Sequence, residues 1–322
     1  MEKLFNLLDG AHSIGIAGHV RPDGDCIGSC MALYNYILNV FPETQVDVYL
    51  EMVPDVFRYI KNVDQIKTTV EDSETKLYDV FVSLDCGDLD RLGLAGKLFS
   101  AAKKKINIDH HISNTLFGEQ NIVLPQASST CETLYGLLEE SYINKEVAEA
   151  LYTGIIHDTG VFKHSNTSSE TMRIAGRLIE KDVDFSKIID ESFYQKTYMQ
   201  NQLLGRCLTE SIMALKDTCI ISVLTKSTME FYGANSKDID GIIDQLRVTK
   251  GVEVAILIHE TGPQIYKVSM RSNHQVDVSQ IAVTYGGGGH IRAAGCTMTG
   301  TYHDVINNII GLVDLQLREQ AK

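Results

Sequence analysis

The chain has 322 residues, with 29 Lys and Arg against 42 Asp and Glu, a formal net charge of −13. That length suits about two domains, and that charge excludes capture of long nucleic acid or an anionic membrane surface by electrostatic field alone. Residues 1–205 carry 18 basic and 30 acidic side chains (net −12) and residues 206–322 carry 11 and 12 (net −1), so the acid belongs to the N-terminal two thirds.

The first apolar stretch, up to Gly18, is interrupted by Asp9, Gly10, His12 and Ser13 and is too short and broken for a signal sequence or a membrane span. The next segments alternate short apolar runs with helical periodicity. Ser13–Ala17, Val46–Leu50, Val80–Leu84 and Lys105–Ile108 read as buried strands, with helices over Ile27–Val40 and Gly96–Lys103 between them. This order predicts an α/β fold with a mainly parallel sheet flanked by helices, whose ligand loops lie beyond the carboxyl ends of the strands. From Ser129 the pattern turns helical, with Ser129 as N-cap and Glu132 completing a capping box. Helices follow over Lys145–Ile156 and Ser169–Lys181, and helical periodicity continues through Tyr198–Leu215. Strands resume at Cys219–Leu224, Val252–His259 and Ile265–Met270, then a helix from Val278 into four glycines, Gly286–Gly289, and a last helix over Tyr302–Leu317. This divides the chain into a domain over 1–190, a partly helical linker over 191–215 and a smaller α/β domain over 216–322. Seven cysteines lie scattered without a C-x-x-C pair, which fits reduced thiols in a soluble cytoplasmic protein.

Four segments concentrate chemistry. The first strand runs into His19-Val20-Arg21-Pro22-Asp23-Gly24-Asp25, an extended loop that can aim two carboxylates at neighbouring positions, as hard divalent cations require. P-D-G is also an ordinary turn. Asp85 follows the strand Val80–Leu84, Asp109-His110-His111 follows Lys105–Ile108, and His157-Asp158 closes a helix. Alone, each is explained by capping, a turn or a packed histidine. Together they put five aspartates and four histidines on one side of one sheet, where the like charges would repel or protonate unless divalent cations relieved them.

The series H-x-x-x-D-x-D, D, D-H-H and H-D resembles the four motifs of the DHH phosphoesterase family, and Gly286-Gly287-Gly288-Gly289-His290-x-Arg292-Ala293-Ala294-Gly295 resembles the glycine-rich signature of the DHHA1 domain. The two-domain layout is similar to the oligoribonuclease and pAp phosphatase branch of that family. The resemblance implies two divalent ions, Mn2+ by preference with Mg2+ or Co2+ as substitutes. His19, Asp23 and Asp85 would hold one ion, and Asp25, Asp85, His110 and Asp158 the other. Asp109 and His157 would orient the ligands, and His111 would face the substrate phosphate, stabilising charge or protonating the leaving group. Two such ions, about 3.5–4 Å apart, lower the pKa of a bound water to about 7 and stabilise an in-line displacement.

In the smaller domain the four glycines can turn successive N–H groups inward as an anion nest, with His290 as a further donor; one glycine alone would be explained by a helix end. Arg271, at the end of Ile265–Met270, resembles the family's phosphate-binding arginine. The substrate-binding set is therefore Arg271, Gly287, Gly288, Gly289 and His290, with Arg91 as an addition that a solvated arginine explains equally well. Arg292 braces the loop or touches substrate. Cys26 and Cys86, each directly after an aspartate, fit small buried residues behind ligands or oxidation-sensitive thiols.

The leading expectation is an enzyme that grips a short substrate between metals and glycine-rich element, converting short RNA to nucleoside 5′-monophosphates and 3′-phosphoadenosine 5′-phosphate (pAp) to AMP and phosphate. Its partners are short RNA and small phosphorylated nucleotides, with no long duplex and no membrane; a homodimer stays open. A phosphodiesterase for cyclic di-AMP or pApA is the near alternative, a pyrophosphatase or exopolyphosphatase a weaker one. A nucleotide sensor without catalysis is disfavoured because every motif position is filled.

Overall fold

A computed structural model describes residues 3–70 and 76–320. Its contacts divide the chain into two units, Met1–Gln195 and Lys196–Lys322. The first contains helix α1 (Leu4–Leu8), then β1 (Ser13–Ala17), α2 (Gly24–Val40), β2 (Gln45–Tyr49), β3 (Val80–Leu84), α3 (Gly96–Ala101), β4 (Lys104–Asp109) and β5 (Gln120–Val123). Helices α4 (Thr130–Leu137), α5 (Lys145–Asp158), α6 (Ser169–Ile179) and α7 (Phe185–Ile189) follow.

All strand pairs in this sheet are parallel, in the order β2-β1-β3-β4-β5. Every residue of β3 is buried, as a strand covered on both faces must be. One face packs on α2, α4, α5 and α6 through residues such as Ile27, Leu134, Leu151 and Ile174; the other holds Phe81, Tyr49 and Tyr78 against Leu98 and Phe99 of α3. From β1 the chain passes to β2 on one side and then to β3 on the other, so β1 and β3 flank the point where strand order reverses. Crevices at such points, outside the carboxyl ends of strands, are where open α/β sheets bind ligands.

Helices α2 and α5 approach closely because glycine faces backbone: a Cβ on Gly28 would lie 2.6 Å from the Ala150 carbonyl oxygen. The approach brings the start of α2 beside the end of α5. The expected loop over Asp23–Asp25 is instead the beginning of α2. Asp23 is its N-cap, accepting from the amides of Asp25 and Cys26 at 3.1 Å each, and Asp25 lies in the first turn. Aspartate before a helical run favours capping over an open turn. The capping box expected at α4 is half made. Ser129 accepts from the Glu132 amide at 3.0 Å, but the Glu132 carboxylate accepts from the hydroxyls of Ser128 and Thr171 at 2.5 and 2.7 Å.

The second unit begins with α8 (Tyr198–Thr209). Its sheet contains β6 (Ile212–Ala214), β7 (Cys219–Leu224), β8 (Val254–Gly262), β9 (Ile265–Ser272), β10 (Gly288–His290) and β11 (Ala293–Thr299). Helices α9 (Lys226–Tyr232), α10 (Ile242–Arg247), α11 (Val278–Thr284) and α12 (Tyr302–Gln320) complete it. The strand order is β10-β11-β9-β8-β7-β6, antiparallel except for β7 with β8. Helical period through Leu215 is thus interrupted, since α8 stops at Thr209 and Ile212–Ala214 pairs with β7. Among the described residues no helix is long and apolar enough to cross a membrane.

Candidate metal centre

Strand register explains why distant motifs meet. Ala17 of β1 lies opposite Ser83 of β3, and Leu84 opposite Ile108 of β4. His19, Asp85 and Asp109-His110 therefore leave three adjacent strands at one edge, and Asp25 and Asp158 arrive there on α2 and α5. The His19 Nε2 lies 3.4 Å from Asp85 Oδ2 and 3.7 Å from Asp23 Oδ2. The His110 Nε2 lies 3.0 Å from Asp158 Oδ2, 3.8 Å from Asp85 Oδ1 and 4.0 Å from Asp25 Oδ2. Asp85 thus presents one oxygen to each histidine. Its backbone has φ +54°, a region uncommon for non-glycine residues.

The hydrogen bonds leave the inward nitrogens free to ligate. His19 Nδ1 is 2.9 Å from the Val20 carbonyl and His110 Nδ1 is 3.3 Å from the Ala127 carbonyl. A carbonyl can only accept, so each Nδ1 carries a proton, and the proton on Nε2 is the one that a bound cation would replace, with Nδ1–H to a carbonyl as the usual second contact of a metal-binding histidine. Asp25 and Asp85 are almost fully buried. Carboxylates so placed need positive partners, and those within 4 Å are imidazoles. Side chains of Asp25, His110 and Asp158 also lie within ligand distance of one another, as do those of Asp85, His110 and His111. Mixed carboxylate and imidazole donors of this kind suit divalent cations such as Mn2+, so the donor set fits a divalent metal.

Electrostatics express the same demand. Burial pulls His19 downward, but the Asp23 and Asp85 carboxylates outweigh it and raise its pKa to about 11. His110 is raised to about 10 against its own burial, chiefly by Asp158 and Asp25. Burial, with repulsion from Asp85 and Asp158, pushes Asp25 well above the usual carboxylate range. Asp23, whose side chain is exposed, is lowered to about 2 by His19 and by the amides it caps.

Asp109, fully buried, accepts from Asn114 at 2.6 Å and lies 2.8 Å from His111 Nδ1. That bond raises the His111 pKa and leaves Nε2 for other partners. His157 touches Ser192 (3.0 Å) instead of a carboxylate and packs edge-on against Phe57 and Phe193. Its ring also lies against Gly24, where a Cβ would sit 2.3 Å from Cγ, so it shapes the turn between Asp23 and Asp25. Burial lowers its pKa to about 4 and keeps it neutral. The Arg91 backbone carbonyl accepts from the Val20 amide at 2.8 Å, next to His19. Burial pushes Cys26 well up and Cys86 up to about 12, which disfavours the reactive thiolate in both.

Sequence reasoning missed what holds the candidate ligands. The amides of Thr130 and Cys131 donate to Asp25 Oδ2 and Oδ1 at 2.6 and 3.0 Å, and the Thr130 hydroxyl donates to Asp85 Oδ1 at 3.0 Å. No local signal marks a partner 105 residues away; only the Ser129 cap hints that free amides begin there.

In the second unit, Arg271 on β9 lies opposite Ala293 on β11, which lies opposite His290 on β10. Directly paired residues point to the same face, so Arg271 and His290 share one face, about 10 Å apart across two strand spacings. Gly288 is on that face as well, in line with Gly295 and Ser269. The four glycines do not form a nest. The amides of Gly286 and Gly287 bond to the carbonyls of Val283 and Ala282, and Gly288–His290 is a strand. Close strand contact accounts for two of them: a Cβ on Gly287 would lie 2.2 Å from the Gly295 carbonyl, and on Gly289, at φ +145°, 2.5 Å from that of Ala293. Arg292 braces this hairpin by donating to the carbonyls of Val276 (3.0 Å) and His274. Arg271 lines a cavity of about 490 Å3 with Lys267, His259 and Asp244, whose carboxylate is 3.7 Å from its Nε.

Residues 13–155 match the DHH family, N-terminal domain, and residues 217–319 match the DHHA1 domain. The bifunctional oligoribonuclease and PAP phosphatase NrnA of Thermus thermophilus is 30% identical over 291 residues, covering 89% of this chain and 84% of that protein. Its namesake in Bacillus subtilis is 26% identical, covering 87% of each. The crystal structure of an exopolyphosphatase-related protein from Bacteroides fragilis superposes with a TM-score of 0.83 at 25% identity, covering 97% of this chain and 94% of that one. With its strand-end carboxylates and histidines in that family's order, the chain belongs to the DHH/DHHA1 phosphoesterases.

Proposed function

We propose that this phosphoesterase is manganese dependent and converts short oligoribonucleotides to nucleoside 5′-monophosphates and pAp to AMP and phosphate. The observation that carries the reading is the convergence of His19, Asp23, Asp25, Asp85, His110 and Asp158 at one sheet edge, with Asp85 between the two histidines. His19, Asp23 and Asp85 would hold one ion, and Asp25, Asp85, His110 and Asp158 a second. Two bound divalent cations supply hydroxide at neutral pH and offset charge on the phosphoryl group.

The remaining residues bind, orient and move protons. Asp109 holds the His111 ring through Nδ1, so Nε2 is the atom that donates to the substrate phosphate or leaving oxygen. Asp109 also favours the imidazolium that such donation needs. Arg271, with His290 and Gly288 on the same sheet face, would take the substrate's other phosphate, a task suited to a forked guanidinium. Arg91 is a weaker candidate for the same work. The names of the T. thermophilus and B. subtilis relatives support both RNA and pAp as substrates.

The test is a side-by-side rate comparison with Mn2+ on di- to pentanucleotide RNA, pAp, pApA and cyclic di-AMP. Mononucleotide release from the short RNAs and phosphate release from pAp are expected to dominate. Turnover confined to cyclic di-AMP or pApA would replace the substrate assignment, and binding without turnover of any would make the chain a nucleotide sensor.

A further inference from the structure

We propose that Thr130 is a positioning residue of the metal centre, one residue whose amide sets Asp25 and whose hydroxyl sets Asp85. The proposal rests on the metal reading above. Thr130 is fully buried at the first position of α4. Its amide and that of Cys131 take one oxygen each of the Asp25 carboxylate, at 2.6 and 3.0 Å. These are amides that a helix start leaves without internal partners, at the positive end of its dipole. Each carboxylate oxygen keeps a further lone pair for a cation.

The hydroxyl has a separate duty. It lies 3.0 Å from Asp85 Oδ1 and 3.5 Å from Asp109 Oδ1; with one hydrogen to give, it serves the nearer. The imidazoles around Asp85 stand at 3.4, 3.6 and 3.8 Å, longer than an ordinary hydrogen bond. Thr130 is therefore the nearest side-chain donor to Asp85 among the described residues. Fixing Oδ1 in this way also fixes Oδ2, which faces His19. Helix capping does not compete for the hydroxyl, because Ser129 performs it. The platform is rigid, since Glu132 ties α4 to Thr171 on α6 and to Ser128.

Thr130→Val keeps the volume and removes the hydroxyl, whereas Thr130→Ser keeps the hydroxyl. Free Mn2+ followed by electron paramagnetic resonance gives the affinities of each purified full-length chain, and thermal unfolding in EDTA reports folding. Thr130→Val is expected to fold and to bind Mn2+ about 10- to 100-fold more weakly, the range for partners that orient ligands, with Thr130→Ser returning to the affinity of the unaltered chain. Unchanged affinity in Thr130→Val would overturn the proposal, and so would a serine variant as weak as the valine one. If the valine variant does not fold, Thr130→Ala gives the same comparison against serine. An unaltered chain that binds no Mn2+ would instead remove the metal reading itself.

Discussion

Gly154 on α5 lies where the proposed metal centre meets the helix core, and its replacement by alanine tests how tightly Asp25 is held. A Cβ there would sit 2.2 Å from Cys131 Sγ and 2.6 Å from Asp25 Oδ1, where ordinary contact begins at 3.4 Å. Asp25 Oδ1 would have to retreat by about 0.8 Å, the difference between those two distances. A movement of that size spends the 3.0 Å hydrogen bond from the Cys131 amide. Overpacking of this kind costs about 1–3 kcal/mol, and for a unit of this size each kcal/mol lowers the melting midpoint by about 2–4 °C. A fall of about 2–12 °C is expected. Misplacement by about 1 Å can cost about 100-fold in turnover, so phosphate release from pAp should drop by a factor of that order. Gly176 on α6 is the control, because a Cβ there meets nothing within 4 Å. Gly176→Ala should gain about 1 kcal/mol from helix propensity and keep full activity. Differential scanning fluorimetry and a phosphate-release assay read both variants. Equal midpoints for the two, or a Gly154→Ala enzyme with undiminished turnover, would refute the claim that α5 clamps Asp25.

Asp85→Asn and Asp158→Asn should remain folded and lose at least about 100-fold in turnover, comparable with loss of a single transition-state donor; activity near that of the unaltered enzyme would remove them from the centre. In EDTA, His19 at about 11 and His110 at about 10, against 6.5 when unfolded, contribute stability complete below pH 6.5 and lost as pH rises through 10 to 11. The melting midpoint should fall across that window, less steeply in His110→Asn and in saturating Mn2+; a flat profile in EDTA contradicts the assignment. Arg271→Ala should raise KM for pAp with little change in Mn2+ affinity, and a changed Mn2+ affinity with constant KM would exclude a phosphate role. Gly287→Ala should destabilise the second unit, measured by hydrogen exchange in β10 and β11, because its Cβ meets the Gly295 carbonyl; unaltered protection would show that the hairpin yields.

The strands that carry the proposed ligands were legible because each is a continuous apolar run closed by a polar residue. Ser13–Ala17 and Val80–Leu84 appear with the expected bounds. The edge strand Gln120–Val123 was not legible: it is only half buried, and half its residues are polar. Nor was Gly288–His290, whose glycines disfavour a strand by propensity and are held in one by β11. At the site, most of the aspartates and histidines stood out by their place after strands, and His157-Asp158 by its place at the end of a helix. Which atom faces which was not readable, because register and the α2–α5 approach decide it. Thr130 could be read as a hydroxyl able to donate to substrate, but its bonds to Asp25 and Asp85 were hidden, since those partners come from α2 and β3.

The most direct measurement is Mn2+ bound per chain, by calorimetric titration of the metal-stripped enzyme and of Asp85→Asn. Two ions are predicted for the unaltered enzyme, with phosphoesterase activity appearing as the second binds, and weakened binding of both when the shared carboxylate is lost. A single ion with full activity, or two ions held equally well without the Asp85 carboxylate, would contradict a centre built around it.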